Sequence, residues 1–519
     1  MARRTSVVVV GAGMAGLAAA VELMKVKVFD IIILEATNRA GGRIHTSSEL
    51  GSEVIELGAN WIHGEDNNPI HKLAKENGLL KESRESSSSF SRINKDNSST
   101  NCSTDWTKTA ADKGIFILEN GTVVPPEIVK KGCMWYDNQC ESSTDTGSHN
   151  GCSNVSEYIK KSLETNMVEE GITDERVKHL HRRLSKWCLM QECLDMACES
   201  CNDISLAHFN DFKPCQGEYY TCLGEKGFQG IVDVFLNQLP GDTIRYCQPV
   251  DQILWTHKPS EDNCAGTTAN GKPRAVVRVK GQPEIPADHV IITSSVGYLK
   301  ENHLSMFRPA LPADKQRAIN TLGFGTVDKI FLRYEKPFWE DGLEGFQLLW
   351  EHDSWHADPL KDEGEIIDSE SNWMWKIPGF YSVEGHDDVL CAWISGKEAE
   401  YMETLSDAEV MQTCTDILQK FLQRDVPSPV QIVVSRWGTH PYIRGSYCGY
   451  LPVHGTGDEY DVMSNPIMQE CQGDLQHPLL MFAGEACHKD FQSTVHGAMV
   501  SGQQQAEKLI QFHRSPSTE

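Results

Sequence analysis

The sequence predicts an α/β fold that contains a Rossmann-like sheet. An apolar strand, Val7 to Val10, runs into a glycine-rich turn, and a helix opens at Met14. A second apolar stretch, DIIIL, begins at Asp30 and ends at an acid, Glu35. This order of strand, turn, helix and strand is the first half of a βαβ unit.

The glycines of the turn follow the G-x-G-x-x-G order at Gly11, Gly13 and Gly16. Gly11 permits the turn, Gly13 admits a pyrophosphate close to the backbone, and Gly16 lets the helix pack on the strand. Close packing alone also selects such glycines, so their order is weak evidence by itself. Glu35 lies 19 residues beyond Gly16, where a carboxylate can accept hydrogen bonds from an adenosine ribose. That spacing favours a dinucleotide site over a structural acid.

Membrane and nucleic-acid binding are not expected. The apolar run from Val7 to Val21 has 15 residues and three glycines, whereas a spanning helix needs about 20 residues. Apolar patterning continues directly into 30–36, so the run does not read as a signal peptide. The formal net charge of -25 argues against nucleic acid and favours small cations, although solubility explains it equally well.

Cysteine usage leaves the compartment open. The chain has 17 cysteines, and four N-x-S/T sequons lie among them at Asn97, Asn101, Asn120 and Asn154. Disulfides and glycans would indicate a secreted protein, but no signal peptide precedes the first strand. We therefore expect reduced thiols and a cytoplasmic location, with secretion or a peroxisomal location as alternatives.

No metal site is expected. The stretch WCLMQECLDMACESC, from Trp187 to Cys201, contains four cysteines. Only Cys198 and Cys201 form a C-x-x-C pair, and a zinc knuckle needs a second pair that does not follow.

Further elements can be placed along the chain. Gly-rich loops at 38–46 and 55–64 are expected to face a ligand. The Ser/Asn-rich stretch at about 83–112 is expected to be a flexible surface insertion. The strands VDQILW, RAVVRVK and DHVIITSS predict a meander over 250–295.

Later segments predict a strand and two helices. TVDKIFLRYEKPFW, from Thr326 to Trp339, predicts a strand with alternating faces. Ser406 and Glu409 form a capping box that opens a helix through about Arg424. A last helix is expected from about Thr494.

Six motifs occur in one order: VVVVGAGMAGLAAA, LEATNRAGGRIHT, ELGANWIHG, DKIFLRYEKPFW, PYIRGSY and FAGEACHKDFQSTVHGAMVSGQQQAEKLI. With these motifs the chain resembles the FAD-dependent amine oxidases and is similar to the animal polyamine oxidases, except over 83–155. The resemblance implies an α/β fold in which a Rossmann-like FAD-binding domain of the PHBH/GR2 type is interleaved with an α+β substrate-binding domain on a mixed sheet. The expected FAD-binding segments are 1–82, 225–300 and 430–519, and the expected substrate-binding segments are 83–224 and 301–429.

The resemblance also implies the cofactor contacts. Glu35 would bind the ribose, Arg43 would lie near the phosphates, and Val250 would offer its backbone to the adenine. Asn60 and Trp61 would lie along the isoalloxazine ring, and Glu485 would bind the ribityl or pyrophosphate portion. The remaining implied contacts are Gly11, Gly13, Ala15 and Gly16 at the pyrophosphate, and Thr494 and Val495 at the flavin pyrimidine, where the helix dipole would stabilise negative charge.

Three residues are the catalytic candidates. The resemblance implies that Lys329 holds a water beside flavin N5, that His63 touches the polyamine, and that Tyr447 forms one wall of an aromatic cage around the reacting amine. Because side chains alternate along a strand, Lys329 and Phe331 lie on one face of the predicted strand, and Ile330 and Leu332 lie on the other. The lysine side chain can therefore enter a pocket. Without the resemblance, Lys329 would be interpreted as a surface lysine, His63 as a loop histidine and Tyr447 as a core tyrosine. Phe380 and Trp393 are candidates for the opposite cage wall.

Two departures from the related monoamine oxidases are informative. Ser446 stands where those enzymes attach flavin through a cysteine, so we expect noncovalent FAD. Their membrane helix is not expected after Leu509. Cys487 replaces the threonine usual in the animal polyamine oxidases, which puts substrate-side details in doubt.

The implied reaction is oxidation of a secondary amine of spermine or an N1-acetylated polyamine, with O2 reduced to H2O2. The expected partners are a cationic polyamine and O2, without nucleic acid or membrane, in a monomer or weak dimer. Three alternatives are a lysine demethylase-like or monoamine oxidase-like enzyme, a nicotinamide-dependent dehydrogenase, and a non-catalytic flavin-binding protein.

Overall fold

The computed structural model describes residues 4–51, 53–81, 114–143, 151–256, 274–351, 372–470 and 476–514. The expected insertion at about 83–112 lies outside the described residues. In these ranges the strands are β1 (Thr5–Val10), β2 (Phe29–Leu34), β3 (Thr46–Ser47), β4 (Ile55–Glu56), β5 (Ile115–Leu118), β6 (Ile244–Arg245), β7 (Val250–Trp255), β8 (Ala275–Val279), β9 (Ile285–Ala287), β10 (His289–Ile292), β11 (Phe307–Arg308), β12 (Val327–Arg333), β13 (Gly345–Leu349), β14 (Gly379–Val383), β15 (His386–Ser395), β16 (Gln431–Val434), β17 (Ile467–Glu470) and β18 (Gln476–Phe482). The helices are α1 (Met14–Met24), α2 (Pro69–Glu76), α3 (Pro126–Ser142), α4 (Val155–Glu169), α5 (Glu175–Asp195), α6 (Gln229–Leu236), α7 (Val296–Met306), α8 (Ala313–Thr321), α9 (Lys397–Met402), α10 (Asp407–Leu422), α11 (Glu459–Ser464) and α12 (Val495–Arg514).

The predicted βαβ unit lies at the centre of a six-stranded sheet, sheet A, with the order β17-β18-β10-β1-β2-β6. All neighbours in it are parallel except the pair of β17 and β18. Val7 and Val9 share a core with α1 and α12, while Val8 and Val10 share another with β7 and β8. Burial on both faces explains why β1 is a continuous apolar run instead of an alternating one.

A second sheet, sheet B, has the order β11-β7-β8-β9. The meander prediction was right for β7 and β8 but wrong for DHVIITSS. The third antiparallel strand is β9, whereas β10 pairs with β1 in parallel. All four residues of β10 are buried, as expected for an inner strand of a sheet that is covered on both faces.

A third sheet, sheet C, has the order β16-β12-β15-β14-β13-β5. β12 ends at Arg333, six residues before the predicted end at Trp339. Its alternation is as predicted: Ile330 and Leu332 enter a core with α10, and Phe331 joins the core on the other face. The capping box at the start of α10 is confirmed, with both reciprocal hydrogen bonds present.

A helical layer of α3, α4 and α5 adjoins sheet C. Trp187 of α5 is buried, and its indole N–H donates to the carbonyl oxygen of Pro378, 2.9 Å away, just before β14. This contact fixes the direction of α5, whose last turn reaches the large cavity described below. Within the described ranges, no helix combines the length and the apolar content that crossing a bilayer requires.

The capping box offers a direct test of helix stability. Ser406→Ala removes the oxygen that accepts from the Glu409 N–H, and we expect it to lower the free energy of unfolding by about 1 kcal/mol. Urea denaturation followed by circular dichroism measures the change. Gln412→Ala, on the exposed side of the same helix, should change it by less than about 0.5 kcal/mol. Equal losses in both variants would contradict a specific cap.

Candidate functional site

A cavity of about 770 Å³ is lined by the carboxyl ends of β1 and β2, by the start of α12 and by one face of sheet C. This is a usual volume for a ligand site, and the ends of parallel strands are a usual place for one. The lining includes every predicted site residue except Gly16: Gly11, Gly13, Ala15, Glu35, Arg43, Asn60, Trp61, His63, Val250, Lys329, Tyr447, Glu485, Thr494 and Val495. Segments far apart in the sequence therefore meet in one cavity.

The glycine turn leaves space at one end of this cavity. A Cβ on Gly16 would lie 2.1 Å from the carbonyl oxygen of Gly11, so Gly16 serves close packing of α1 on β1. A Cβ on Gly13 would meet only the carbonyl oxygen of Gly41, 4.0 Å away, so the space above Gly13 is open. No side chain caps the start of α1, whose N–H groups are suited to an anion. These features fit a pyrophosphate.

Glu35 follows β2 at the same end. Its carboxylate accepts from the backbone N–H of Ala12 at 2.8 Å and of Thr37 at 2.9 Å, and it is 7% exposed. These bonds hold the acid beside the glycine turn, and this position fits the prediction that Glu35 binds a ribose. Val250 lines the same cavity at the start of β7.

An ion pair lies in the lining of the cavity. The guanidinium of Arg43 donates to Glu485 at 2.7 Å and to the carbonyl oxygen of Ser446 at 2.9 Å. The other carboxylate oxygen of Glu485 accepts from the N–H of Ser493 at 3.0 Å. Arg43 offsets the charge of this buried acid, which fits the prediction that both residues contact the cofactor.

The start of α12 also lies in the cavity wall. The hydroxyl of Thr494 accepts from the N–H of Gly497 at 3.0 Å, so Thr494 caps the helix whose first residue is Val495. Both line the cavity, and the dipole of α12 points its positive end there.

Lys329 lies within the cavity wall and is 3% exposed. Its ammonium donates to the carbonyl oxygens of Glu56 at 2.7 Å and Gly58 at 2.8 Å, and to the amide oxygen of Asn60 at 3.2 Å. It also lies 4.4 Å from the ring centre of Trp393. Burial lowers the pKa of Lys329 to about 8, so both protonation states are accessible near neutral pH.

A cluster of aromatic side chains in the cavity wall adjoins this lysine through Trp393. Trp61 and Trp393 stack with their ring centres 5.7 Å apart, and Tyr220 meets Trp61 edge to face at 5.2 Å. Tyr219 lies 4.6 Å from the ring centre of His63. We call the five residues Trp61, His63, Tyr219, Tyr220 and Trp393 the aromatic chamber.

His63 and Tyr447 are both held by backbone groups. The Nδ1 atom of His63 lies 3.2 Å from the carbonyl oxygen of Tyr219, and burial lowers the pKa of His63 to about 4. The ring is therefore neutral at pH 7 and does not repel a cation. The hydroxyl of Tyr447 donates to the carbonyl oxygen of Leu194 at the end of α5, and burial raises its pKa.

One of the two candidates for a second cage wall was wrong. Phe380 is fully buried in the core beneath sheet C. It lies opposite Ala392, and Ala392 lies opposite Ile330, so all three side chains share the face turned away from the cavity. Trp393, opposite Lys329 in the register, lines the cavity.

Sequence reasoning missed the acidic part of the lining. Glu56 lies beside Lys329, and burial raises its pKa to about 7. Further carboxyl groups that line the cavity are Glu141, Glu192, Asp195, Glu344 and Glu384. Apart from Glu192 and Asp195, which share the last turn of α5, they come from separate elements, so no local pattern in the sequence joins them. Of these acids, Glu56 gives a signal in the sequence, because it begins the motif ELGANWIHG and is a carboxyl group among apolar neighbours.

Fold and cavity together define a class, the dinucleotide-binding oxidoreductases with a substrate chamber at the far end of the cofactor site. Comparison with known proteins narrows this class. The family model described as "Flavin containing amine oxidoreductase" matches residues 14–510. The chain therefore belongs to the flavin-containing amine oxidoreductase family, and FAD is its cofactor.

Individual relatives agree with the family assignment. "Peroxisomal N(1)-acetyl-spermine/spermidine oxidase" of Homo sapiens is 34% identical over 513 residues, which cover 97% of this chain and 94% of that protein. "Polyamine oxidase 1" of Oryza sativa subsp. japonica is 28% identical, with 99% and 98% covered. A solved triple mutant of putrescine oxidase, made to redesign cofactor binding, shares the fold with a TM-score of 0.61 at 19% identity, covering 98% of this chain and 99% of that chain.

The open space at Gly13 predicts a variant that folds without its cofactor. The Cβ of Gly13→Ala meets no atom closer than 4.0 Å in the protein, but it occupies the place of a phosphate. We expect apoprotein with wild-type circular dichroism and FAD binding at least about 10-fold weaker, measured by flavin fluorescence quenching. Gly241→Ala is the matched control, because a Cβ at that exposed glycine also meets no protein atom within 4 Å and Gly241 does not line the cavity. FAD affinity equal to the wild type would contradict the assignment of this turn to the pyrophosphate.

Proposed function

We propose that the chain is a flavin-dependent polyamine oxidase that oxidises a secondary amine of spermine or of an N1-acetylated polyamine. The product imine is hydrolysed to an aldehyde and a shorter amine. FAD, held noncovalently by the residues of the glycine turn and of the start of α12, would supply the two-electron redox chemistry, with O2 as the final acceptor and H2O2 as its product. One observation carries this proposal: the dinucleotide cradle and the aromatic chamber around Lys329 share one acid-lined cavity.

The acids favour a polycationic substrate. Glu192 and Asp195 come from the last turn of α5, and Glu344 and Glu384 flank β13 and β14. Burial raises the pKa of Glu192 to about 8, so a bound ammonium group would favour its ionised form. A cationic substrate is attracted to such a lining, whereas an anionic substrate is repelled by it.

The aromatic chamber suits the reacting part of the substrate. Trp61 and Trp393 offer flat apolar surfaces that exclude water and position an aliphatic chain. Neutral His63 can accept a hydrogen bond from an amine N–H. Tyr447 would form a wall of the chamber from a position fixed by its bond to Leu194.

Lys329 would hold a water molecule next to the reacting atoms. Its ammonium is directed by the carbonyl oxygens of Glu56 and Gly58, so its orientation does not depend on the substrate. In the neutral form its lone pair can accept a proton from that water, which assists imine hydrolysis or a proton transfer to oxygen.

Several wider features belong to the same proposal. The segments 1–82, 225–300 and 430–519 would act as an FAD-binding domain, and 83–224 and 301–429 as a substrate-binding domain. The enzyme would be a monomer or weak dimer in the cytoplasm. All cysteines that the structure describes are free thiols. Sedimentation velocity and a fluorescent fusion test the oligomeric state and the location.

A peroxide assay tests the function. H2O2 release is measured with spermine, N1-acetylspermine, spermidine, N1-acetylspermidine and a monoamine, and we expect release with at least one polyamine and none with the monoamine. Release with the monoamine alone would favour a monoamine oxidase-like enzyme, and a dimethyl-lysine peptide provides the same test for a demethylase. A colourless protein that binds NAD would be a dehydrogenase. A yellow protein that releases no peroxide with any of these amines would be a binding protein.

Substitution of Lys329 tests its proposed role. In Lys329→Met we expect flavin reduction or reoxidation, followed by stopped flow, to slow by about 100-fold. In the wild type the affected rate should rise with pH and level off above about 8, because burial sets the pKa of Lys329 there and its neutral form accepts the proton. The variant should lose this inflection.

Lys315 is a matched control. It is also buried and bonded to backbone carbonyl groups, and burial lowers its pKa to about 8, but it does not line the cavity. Lys315→Met should leave both flavin rates and their pH profile unchanged. Unaltered rates in Lys329→Met at every pH would remove that residue from the mechanism.

A further inference from the structure

Three buried thiols converge behind the wall of the cavity. Cys193 lies in the last turn of α5, and Cys198 and Cys201 lie in the loop that follows. Their Sγ atoms all lie within 4.8 Å of one another, and those of Cys193 and Cys201 are 3.6 Å apart. None of the three lines the cavity, and the proposed oxidation does not use them.

The separation of the sulfur atoms suits a shared metal ion better than a disulfide. Two thiolates on a tetrahedral zinc ion, each with a bond of about 2.3 Å, place their sulfur atoms about 3.8 Å apart. A disulfide requires a separation of about 2.05 Å. The 3.6 Å between Cys193 and Cys201 is close to the first distance and far from the second.

The surroundings provide a counter-charge. The carbonyl oxygen of Glu199, between the two loop cysteines, accepts from the ammonium of Lys376 at 2.6 Å and lies 4.0 Å from the Sγ of Cys193. Three thiolates carry a net charge of about -1 around a divalent ion and about -2 around a monovalent one. Lys376 is placed to offset one unit of that charge, which favours the divalent ion in a buried position.

We propose that Cys193, Cys198 and Cys201 bind one d10 metal cation, zinc or copper(I). Thiolate sulfur is a preferred ligand of both ions, and binding would release the three thiol protons. Three protein ligands leave one position of a zinc tetrahedron for water, whereas copper(I) can be held by the three sulfur atoms alone. The spacing C-x4-C-x2-C conceals this site from a search for paired knuckles, because its first ligand lies on the helix.

The bound ion would brace the wall that holds Tyr447. Leu194, whose carbonyl oxygen accepts from the Tyr447 hydroxyl, directly follows Cys193. Ala197 directly precedes Cys198 and packs closely on Gly325. A Cβ on Gly325 would lie only 2.2 Å from the carbonyl oxygen of Ala197. Gly325 in turn pairs with the backbone of Tyr447. The ion would therefore have a structural role behind the aromatic chamber.

Metal content tests the proposal. Untagged holoenzyme is treated with a chelator and dialysed, in separate arms, against zinc chloride or against a copper(I) salt under reductant, and bound metal is counted by mass spectrometry. We expect one ion per chain, and the arm of higher affinity identifies the ion. Cys198→Ser should weaken binding by about 100-fold, since loss of even a supporting group costs 10- to 100-fold. Cys414→Ser, at a buried thiol in the core of sheet C, should bind as the wild type does.

A second measurement does not depend on how the variants fold. Cadmium added to wild-type apo-site protein should give a thiolate-to-metal charge-transfer band that saturates at one ion per chain. Absence of stoichiometric zinc, copper(I) and cadmium binding would overturn the proposal. So would equal binding by Cys198→Ser, or a Cys193 to Cys201 disulfide in the freshly isolated protein.

Discussion

The close contact between the first and last long helices is the constraint on which the site depends. A Cβ on Gly502 of α12 would lie 2.1 Å from the carbonyl oxygen of Ala15 in α1, so only glycine permits the observed approach. Leu17 of α1 and Leu509 of α12 share one core, which stabilises that approach. Because the helices touch, the glycine turn before α1 and the capped start of α12 open into the same cavity. This approach brings the two predicted contact points for the dinucleotide into one cavity.

Strand β12 supplies the second constraint, since it connects the substrate side to the cofactor side. Its alternation buries Ile330 under sheet C and turns Lys329 toward the loop that follows β4. The lysine is costly to bury as a cation, and the carbonyl oxygens of Glu56 and Gly58 compensate part of that cost. The part of the cost that is not compensated lowers the pKa of Lys329. A side chain that anchors two elements in this way is positioned before substrate arrives.

Sequence patterns predicted the features that depend on neighbours along the chain. The glycine turn, the acid after β2, the alternation of β12 and the capping box each have a local physical cause, and each was found. The failures share a different cause. DHVIITSS joined sheet A instead of the meander, and Phe380 faced the core, because strand partners and register are set by long-range packing. The acids of the cavity and the convergence of Cys193 with the later C-x-x-C pair arise only on folding.

The charges in the cavity indicate how a polyamine would be aligned. Lys329 brings positive charge to the cofactor side, where Glu485 balances the charge of Arg43. Glu192, Asp195, Glu344 and Glu384, the last of which is paired with Lys81, bring carboxyl groups to the part formed by α5, β13 and β14. A protonated amine is disfavoured near Lys329 and favoured near the acids. The reacting nitrogen would therefore lose its proton inside the chamber while the distant nitrogens keep theirs. Amine oxidation needs a free nitrogen lone pair, so the arrangement that binds the polycation also selects the nitrogen that can react.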